Sequence, residues 1–224
     1  MIEESDDRPP VALEQRGVGA DQRMFSPSAA RNVAPILAIL QRGLPTSGSV
    51  LEIGCGTGEH AVSFAKAMPQ LTWRPSDPDP ESRASASSWI RHTGLTNVCA
   101  PLDIDVCAST WGVEQDGPFD AIVSLNMVHI APWSASLGLF AGAGRMLRAG
   151  ALLVLYGPFM RDGAHNAPSN AAFDMSLRAR NPSWGVRDIV DLERLGEPSG
   201  LILRETIEMP ANNRTLVFAK PEHA

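Results

Sequence analysis

Several things are scarce in this chain of 224 residues. It has one tyrosine and three cysteines, Cys55, Cys99 and Cys107. The cysteines are odd in number and show no CxxC spacing, which indicates neither a disulfide framework nor a zinc site. No stretch approaches about 18 uninterrupted apolar residues, so no membrane-spanning helix is expected. The start, MIEESDDRPP, lacks the basic head and apolar run of a secretory signal, and cytoplasmic residence is the default expectation. Basic side chains number 19 against 25 acidic ones, a net charge of -6, so no general polyanion-binding surface and no nucleic-acid partner are expected. Carboxylates and histidines do not cluster at ligand spacing, and no metal is expected.

What the chain does have is glycine in one informative place. Residues Val50 to Glu59 read VLEIGCGTGE. Val50, Leu51 and Ile53 fit a short parallel strand buried on both faces, and a helix follows from about Thr57 through Met68. Gly54, Gly56 and Gly58 between them let the backbone take unusual angles and bring amides close to a ligand, with a helix N-terminus behind. A dinucleotide fingerprint needs GxGxxG, but the sixth position here is Glu59 and the order is GxGxG. With Glu52 on the strand, this resembles motif I of the class I S-adenosylmethionine methyltransferases.

The remaining pattern alternates. Residues 1 to 22 are rich in charge, proline and glycine and read as a flexible leader, and residues 23 to 224 as a single domain. Ser26 caps a helix with Pro27 at its first position, and Val33, Ile36, Leu37 and Leu40 recur at helical spacing before Gly43 and Pro45. Strands are expected at Leu71 to Arg74, Asn97 to Leu102, Phe119 to Leu125 and Ala151 to Tyr156. Helices are expected from Glu81 to His92, Trp133 to Leu147 and Val186 to Leu195. Leu201 to Glu208 and Arg214 to Phe218 read as a hairpin that adds an antiparallel strand. The expected fold is α/β and Rossmann-like: seven strands, mostly parallel, with helices on both faces. Residues 157 to 185 are too long for a simple connection and are expected to form an irregular cover over an active site.

In an open α/β sheet, ligands bind beyond the carboxyl ends of the strands. Asp77 follows the second strand, where an acid can accept hydrogen bonds from both ribose hydroxyls; Asp79 is the weaker choice, because it can cap the next helix. Asp103 and Asp105 follow the third strand, and Asp105 is preferred for an adenine amino group. The fourth strand ends at Asn126, placed to offer acceptors to a methionine ammonium, and His129 follows it.

Several longer stretches are more specific. SPSAARNVAPIL at Ser26 to Leu37, WRPSDPDPE at Trp73 to Glu81, NMVHIAPW at Asn126 to Trp133, LYGPF at Leu155 to Phe159 and APSNAAFD at Ala167 to Asp174 are similar to the domain-of-unknown-function 938 family of methyltransferase-like proteins. So are WGVRD at Trp184 to Asp188 and MPANN at Met209 to Asn213. The resemblance implies a class I methyltransferase fold and S-adenosylmethionine bound at Glu52, Gly54, Gly56, Gly58, Asp77 and Asp105. Arg31 matches the family's RN pair and is assigned to the methionine carboxylate, which a guanidinium can hold with two hydrogen bonds. One departure is Gly54-Cys55, where the family more often carries Ala and Ser.

Methyl transfer needs an aligned acceptor lone pair and the exclusion of water, and a base only if a proton must leave. His129 and His165 are the candidates for that proton. Tyr156, Phe159, Asn170, Asp174, Trp184, Arg187, Asn212 and Asn213 are the candidates for lining a small-molecule acceptor pocket. Asn212 and Asn213 also suit a turn with left-handed backbone angles. A binding protein that keeps the cofactor without transferring methyl, and then a nicotinamide-dependent oxidoreductase, are the competing readings.

Overall fold

The computed structural model describes residues 17–222; the first sixteen residues of the expected leader lie outside the described residues. The rest of that leader is part of a hairpin. β1 (Gly17–Val18) pairs antiparallel with β2 (Met24–Phe25). Helix α1 (Pro27–Gly43) follows, with the Ser26 hydroxyl accepting from the Ala29 amide and Pro27 at the first turn, as the sequence predicts. Ala29, Ile36 and Leu40 are its buried residues.

Then come β3 (Gly48–Ile53), α2 (Glu59–Ala67), β4 (Leu71–Ser76), α3 (Pro80–Thr93), β5 (Phe119–Leu125), α4 (Trp133–Met146) and β6 (Leu147–Gly157). The N-terminal hairpin lies on α3, where Trp89 donates from Nε1 to the Met24 carbonyl at 2.9 Å and the Arg23 guanidinium stands 4.6 Å over the same ring.

The sheet order begins β4-β3-β5-β6, all parallel. Chain order reverses between β3 and β5, so the connections leaving their carboxyl ends diverge and open a crevice. Side chains alternate between two apolar layers. Leu51, Ile53, Ile122, Leu153 and Leu155 face α4, while Val50, Val123, Val154 and Tyr156 face α1 and α2. Each fully buried aliphatic side chain contributes about 1.5–3 kcal/mol, so the strands are held from both sides.

The expected strand at Asn97 to Leu102 is present only as two parallel bridges, Trp73 to Val98 and Ser76 to Leu102, beyond the edge of β4. Prolines explain the break. The Cys99 amide donates to the Trp73 carbonyl and the Leu102 amide to the Pro75 carbonyl, but Pro75 and Pro101 have no N–H to continue the ladder between them.

After β6 the chain is more ordered than an irregular cover. It forms β7 (Phe159–Met160), a 13-residue helix α5 (Pro168–Arg180), and β8 (Arg187–Asp188), which pairs parallel with β7. The buried residues of α5 are Asn170, Asp174 and Leu177, at helical spacing but mostly polar, so hydrophobic periodicity gives no signal there. Helix α6 (Ile189–Gly196) then starts behind the Asp188 cap, three residues later than expected, because Arg187 and Asp188 are taken by the strand pair. Finally β9 (Ile202–Glu208) and β10 (Arg214–Ala219) form the expected hairpin, with β10 antiparallel to both β6 and β9. No helix among the described residues is long and apolar enough to cross a membrane.

Candidate active site

The crevice is built from the glycine turn outward. Gly54, Gly56 and Gly58 have φ of 74°, 54° and 85°, the left-handed region that costs L-residues about 1–2 kcal/mol. Space matters as much as angle: a Cβ on Gly54 would lie 2.9 Å from Met127, and one on Gly58 would lie 2.5 Å from the Ala86 Cα on α3. The amides of Gly54 and Cys55 both donate to the Ser76 carbonyl, at 2.9 and 2.8 Å, tying the turn to the end of β4.

Asp77 is the next residue after β4, and it joins the turn directly. Its Oδ2 accepts from the Gly56 amide at 2.9 Å and its Oδ1 from the Asp79 amide at 3.0 Å. Asp79 caps α3, accepting from the Ser82 amide at 2.9 Å, which accounts for it structurally. Arg83 donates to the carbonyls of Asp77 and Pro78 and pairs with Asp103 at 3.1 Å. Asp105 is exposed, and its Oδ1 shapes the following turn by accepting from the Cys107 amide at 2.9 Å.

Glu52 lies beneath the turn, 1% exposed, with Oε2 accepting from the Trp73 indole at 2.7 Å. Burial, with a further push from the Asp77 charge, raises its pKa to about 7. Arg31 is exposed near the start of α1, a helix that packs against α2.

At the end of β5, Asn126 takes φ of 61°, a conformation asparagine tolerates better than most residues. Its amide donates to the Tyr156 carbonyl at 2.7 Å, joining the ends of β5 and β6. His129 ends the short turn that follows. It is 1% exposed, edge-on to Phe159 with ring centroids 4.8 Å apart, and neither ring nitrogen has a hydrogen-bond partner. Burial first, and then the nearby Arg187 charge, lower its pKa to about 3. The imidazole is therefore neutral across the physiological range and sealed from solvent, a poor setting for a group that must collect a proton.

The acceptor candidates are brought together, but largely onto one another. Asp174 accepts from Arg178 Nε at 3.1 Å and from the Val186 amide at 2.7 Å, and its Oδ2 stands 3.6 Å from His165 Nε2. Asn170 Nδ2 donates to Asn166 Oδ1 at 2.7 Å and to the Asn212 carbonyl at 2.8 Å. Asn213 Nδ2 donates to the Tyr156 hydroxyl at 3.0 Å.

Three of the lining candidates face the protein instead. Tyr156 is 1% exposed and packs in the layer against α1 and α2. Phe159 is fully buried in the core, and Arg187 spends its guanidinium on the carbonyls of Val128, Ala131 and Ser183 while lying over Trp133. Trp184 is half-buried, its amide held by the Asn181 carbonyl. In the hairpin turn Asn212 is left-handed at φ 58°, but Asn213 is extended and Ala211 takes the second left-handed position at φ 57°. Sequence reasoning missed Asn166, Glu59 and Ser85, whose contacts are made across the fold. Among the described residues no group of three or more His, Cys, Asp or Glu side chains converges for a metal ion.

Solved structures share this fold. An O-methyltransferase family protein from Burkholderia thailandensis matches with a TM-score of 0.74 at 15% identity, over 88% of this chain and 58% of that one. A putative O-methyltransferase from Nostoc punctiforme PCC 73102 matches with a TM-score of 0.75 at 16% identity, over 89% and 58%. CalO1, a methyltransferase in calicheamicin biosynthesis in its SAH-bound form, matches with a TM-score of 0.66 at 18% identity, over 87% and 55%. The chain thus spans a little over half the length of each, and at these identities the likeness is one of fold. A family model described as a protein of unknown function, DUF938, matches residues 23–220, and the chain belongs to that family.

Proposed function

We propose that the protein is an S-adenosylmethionine-dependent methyltransferase that passes a methyl group to a small-molecule acceptor by in-line displacement. The observation that carries this is the Asp77 carboxylate bonded to the Gly56 amide, which joins the ends of β4 and β3 beside the crevice between β3 and β5. The residues fit that cofactor: the half-exposed backbone of Gly54 and Gly56 can approach a ligand closely, and an acid stands at the adjoining strand end. The methyltransferase fold of the solved structures, one of them holding SAH, supports the same reading.

S-adenosylmethionine, when bound, supplies a methyl carbon activated by a positively charged sulfonium. The chain's part is to orient both partners and exclude water. In this reading Asp77 accepts from the ribose hydroxyls, Asp105 from the adenine amino group and Asn126 from the methionine ammonium. Arg31 holds the carboxylate, and Glu52 supports the turn from below. Where the acceptor must lose a proton, His165 is better placed than the sealed His129. The His165 Nδ1 is buried without a partner, which leaves Nε2, 3.6 Å from Asp174 Oδ2, as the nitrogen that would take the proton.

Calorimetry of the full chain with SAH and with NAD tests the first step. Incubation with label-bearing methyl donor and a metabolite extract, followed by product identification, tests the second. SAH binding without any labelled product would favour a non-catalytic binding protein; NAD binding without SAH binding would favour an oxidoreductase.

A further inference from the structure

Glu59, the residue that breaks the dinucleotide fingerprint, has a defined task. Its Oε2 accepts two hydrogen bonds, from the Thr57 hydroxyl at 3.0 Å and from the Ser26 amide at 2.7 Å. Ser85, fully buried on α3, does the equivalent from the other side: its Oγ donates to the Thr57 carbonyl at 2.7 Å and accepts from the Met24 amide at 2.8 Å. Thr57 stands between Gly56 and Gly58. Its hydroxyl and its carbonyl are therefore each held by a side chain that also holds one amide of the N-terminal segment. Met24 and Ser26 flank Phe25 at the end of β2, and neither amide bond is part of the β1–β2 pairing or of helix α1.

The rest of the hairpin is fastened to α3. Ser88 donates to the Asp21 carbonyl, Trp89 to the Met24 carbonyl, and Arg23 covers the Trp89 ring. Next to Ser85, Ala86 is the wall against which Gly58 packs. Turn, α3 and hairpin thus share one hydrogen-bonded frame. A glycine-rich turn loses more freedom on ordering than other backbone, and holding Thr57 at two points removes part of that cost before a ligand arrives.

We infer that Glu59 and Ser85 are positioning residues for the cofactor, with hairpin residues 17–26 as the brace they hold, so that docking of the hairpin and nucleoside binding at the glycine turn are one coupled equilibrium. This rests on the methyltransferase reading of the turn. Coupling is reciprocal: whatever factor the docked hairpin adds to SAH affinity, SAH adds to hairpin docking.

The test uses the full chain, SAH calorimetry, and hydrogen exchange at the amides of Met24 and Ser26. Ser85→Ala removes a hydroxyl from a helix that accepts alanine well, Glu59→Ala removes the shared acceptor, and Glu59→Gln keeps an acceptor oxygen. Ser85→Ala and Glu59→Ala are each expected to weaken SAH binding about five- to tenfold, with Glu59→Gln close to wild type. SAH is expected to slow exchange at both amides in the wild type and less so in the two alanine variants. If Ser85→Ala fails to fold, the Glu59→Ala and Glu59→Gln pair decides the matter. Wild-type affinity in the alanine variants, or amides whose exchange ignores SAH, would overturn the inference alone. A wild type that binds no SAH would overturn the methyltransferase reading and the inference with it.

Discussion

The two ends of the candidate site are built on different terms. At the glycine end the ligand-facing surface is backbone, and the bond that completes it joins Gly56 to Asp77, 21 residues apart along one β-α-β unit. At the acceptor end the contacts join Asn170 to Asn212, 42 residues apart, Tyr156 to Asn213, 57 apart, and Val128 to Arg187, 59 apart. There the polar side chains hold the cover in place as much as they offer themselves to a ligand. Leu177 is the one apolar side chain that α5 buries fully, so the cover helix depends on Asn170 and Asp174 for its docking. The difference teaches that one end is a rigid cradle set by packing, and the other a polar latch set by hydrogen bonds.

The sharpest way to break the cradle is Gly58→Ala. The new Cβ would meet backbone on α3 in a left-handed conformation, and a loss of about 3 kcal/mol or more is expected in urea unfolding. A loss under about 1 kcal/mol would mean that α3 yields and the cradle is softer than its geometry implies. Asp77→Ala should leave the fold standing but weaken SAH binding about twentyfold or more, because charge-assisted bonds are lost; an unchanged titration would remove Asp77 from the cofactor.

The latch should respond in the opposite sense. Asn170→Leu is expected to cost about 1–2 kcal/mol and to speed exchange in α5, leaving SAH affinity as it was. Should SAH affinity fall as well, the two ends would be energetically joined. Tyr156→Phe takes away the hydroxyl that accepts from Asn213 and is expected to cost about 1 kcal/mol in urea unfolding with SAH affinity intact; an unchanged midpoint would mean that this bond does not hold the hairpin turn.

A smaller effect separates charge from packing in the cradle floor. The Glu52 pKa is raised from 4.5 to about 7, so the native state keeps a proton that the unfolded chain gives up. The resulting stabilisation is full below about pH 4.5 and is lost as pH rises through about 7. Urea midpoints should decline over that window in the wild type and decline less in Glu52→Gln, which still offers an acceptor to Trp73. An equal decline in the variant would place the pH dependence elsewhere.

Much of the cradle was legible. The Ser26-Pro27 cap, the GxGxG order, the acid after β4 and the C-terminal hairpin each follow from a local rule about angles, caps or alternation. The broken edge strand was legible in principle, since Pro75 and Pro101 announce missing donors. Helix α5 was not, because its buried face is written in Asn170 and Asp174, residues that ordinarily mark surface. The burial of His129, Phe159 and Arg187 was not legible either, for a related reason. A histidine, a phenylalanine and an arginine near strand ends suit a pocket as well as they suit a core, and only the packing around Gly157, Gly185 and Trp133 assigns them.

The sequence by itself determined the strand-turn-helix unit, the direction of the sheet and the acid after β4, because those depend on backbone requirements that spacing records. Only the tertiary structure decided which polar groups are turned toward a ligand and which toward each other. That choice rests on pairings between residues 33 to 61 positions apart, such as Ser26 with Glu59 and Met24 with Ser85. Such pairs have no local signature, since the energy that selects them appears only when the chain has folded and the donors have lost their water.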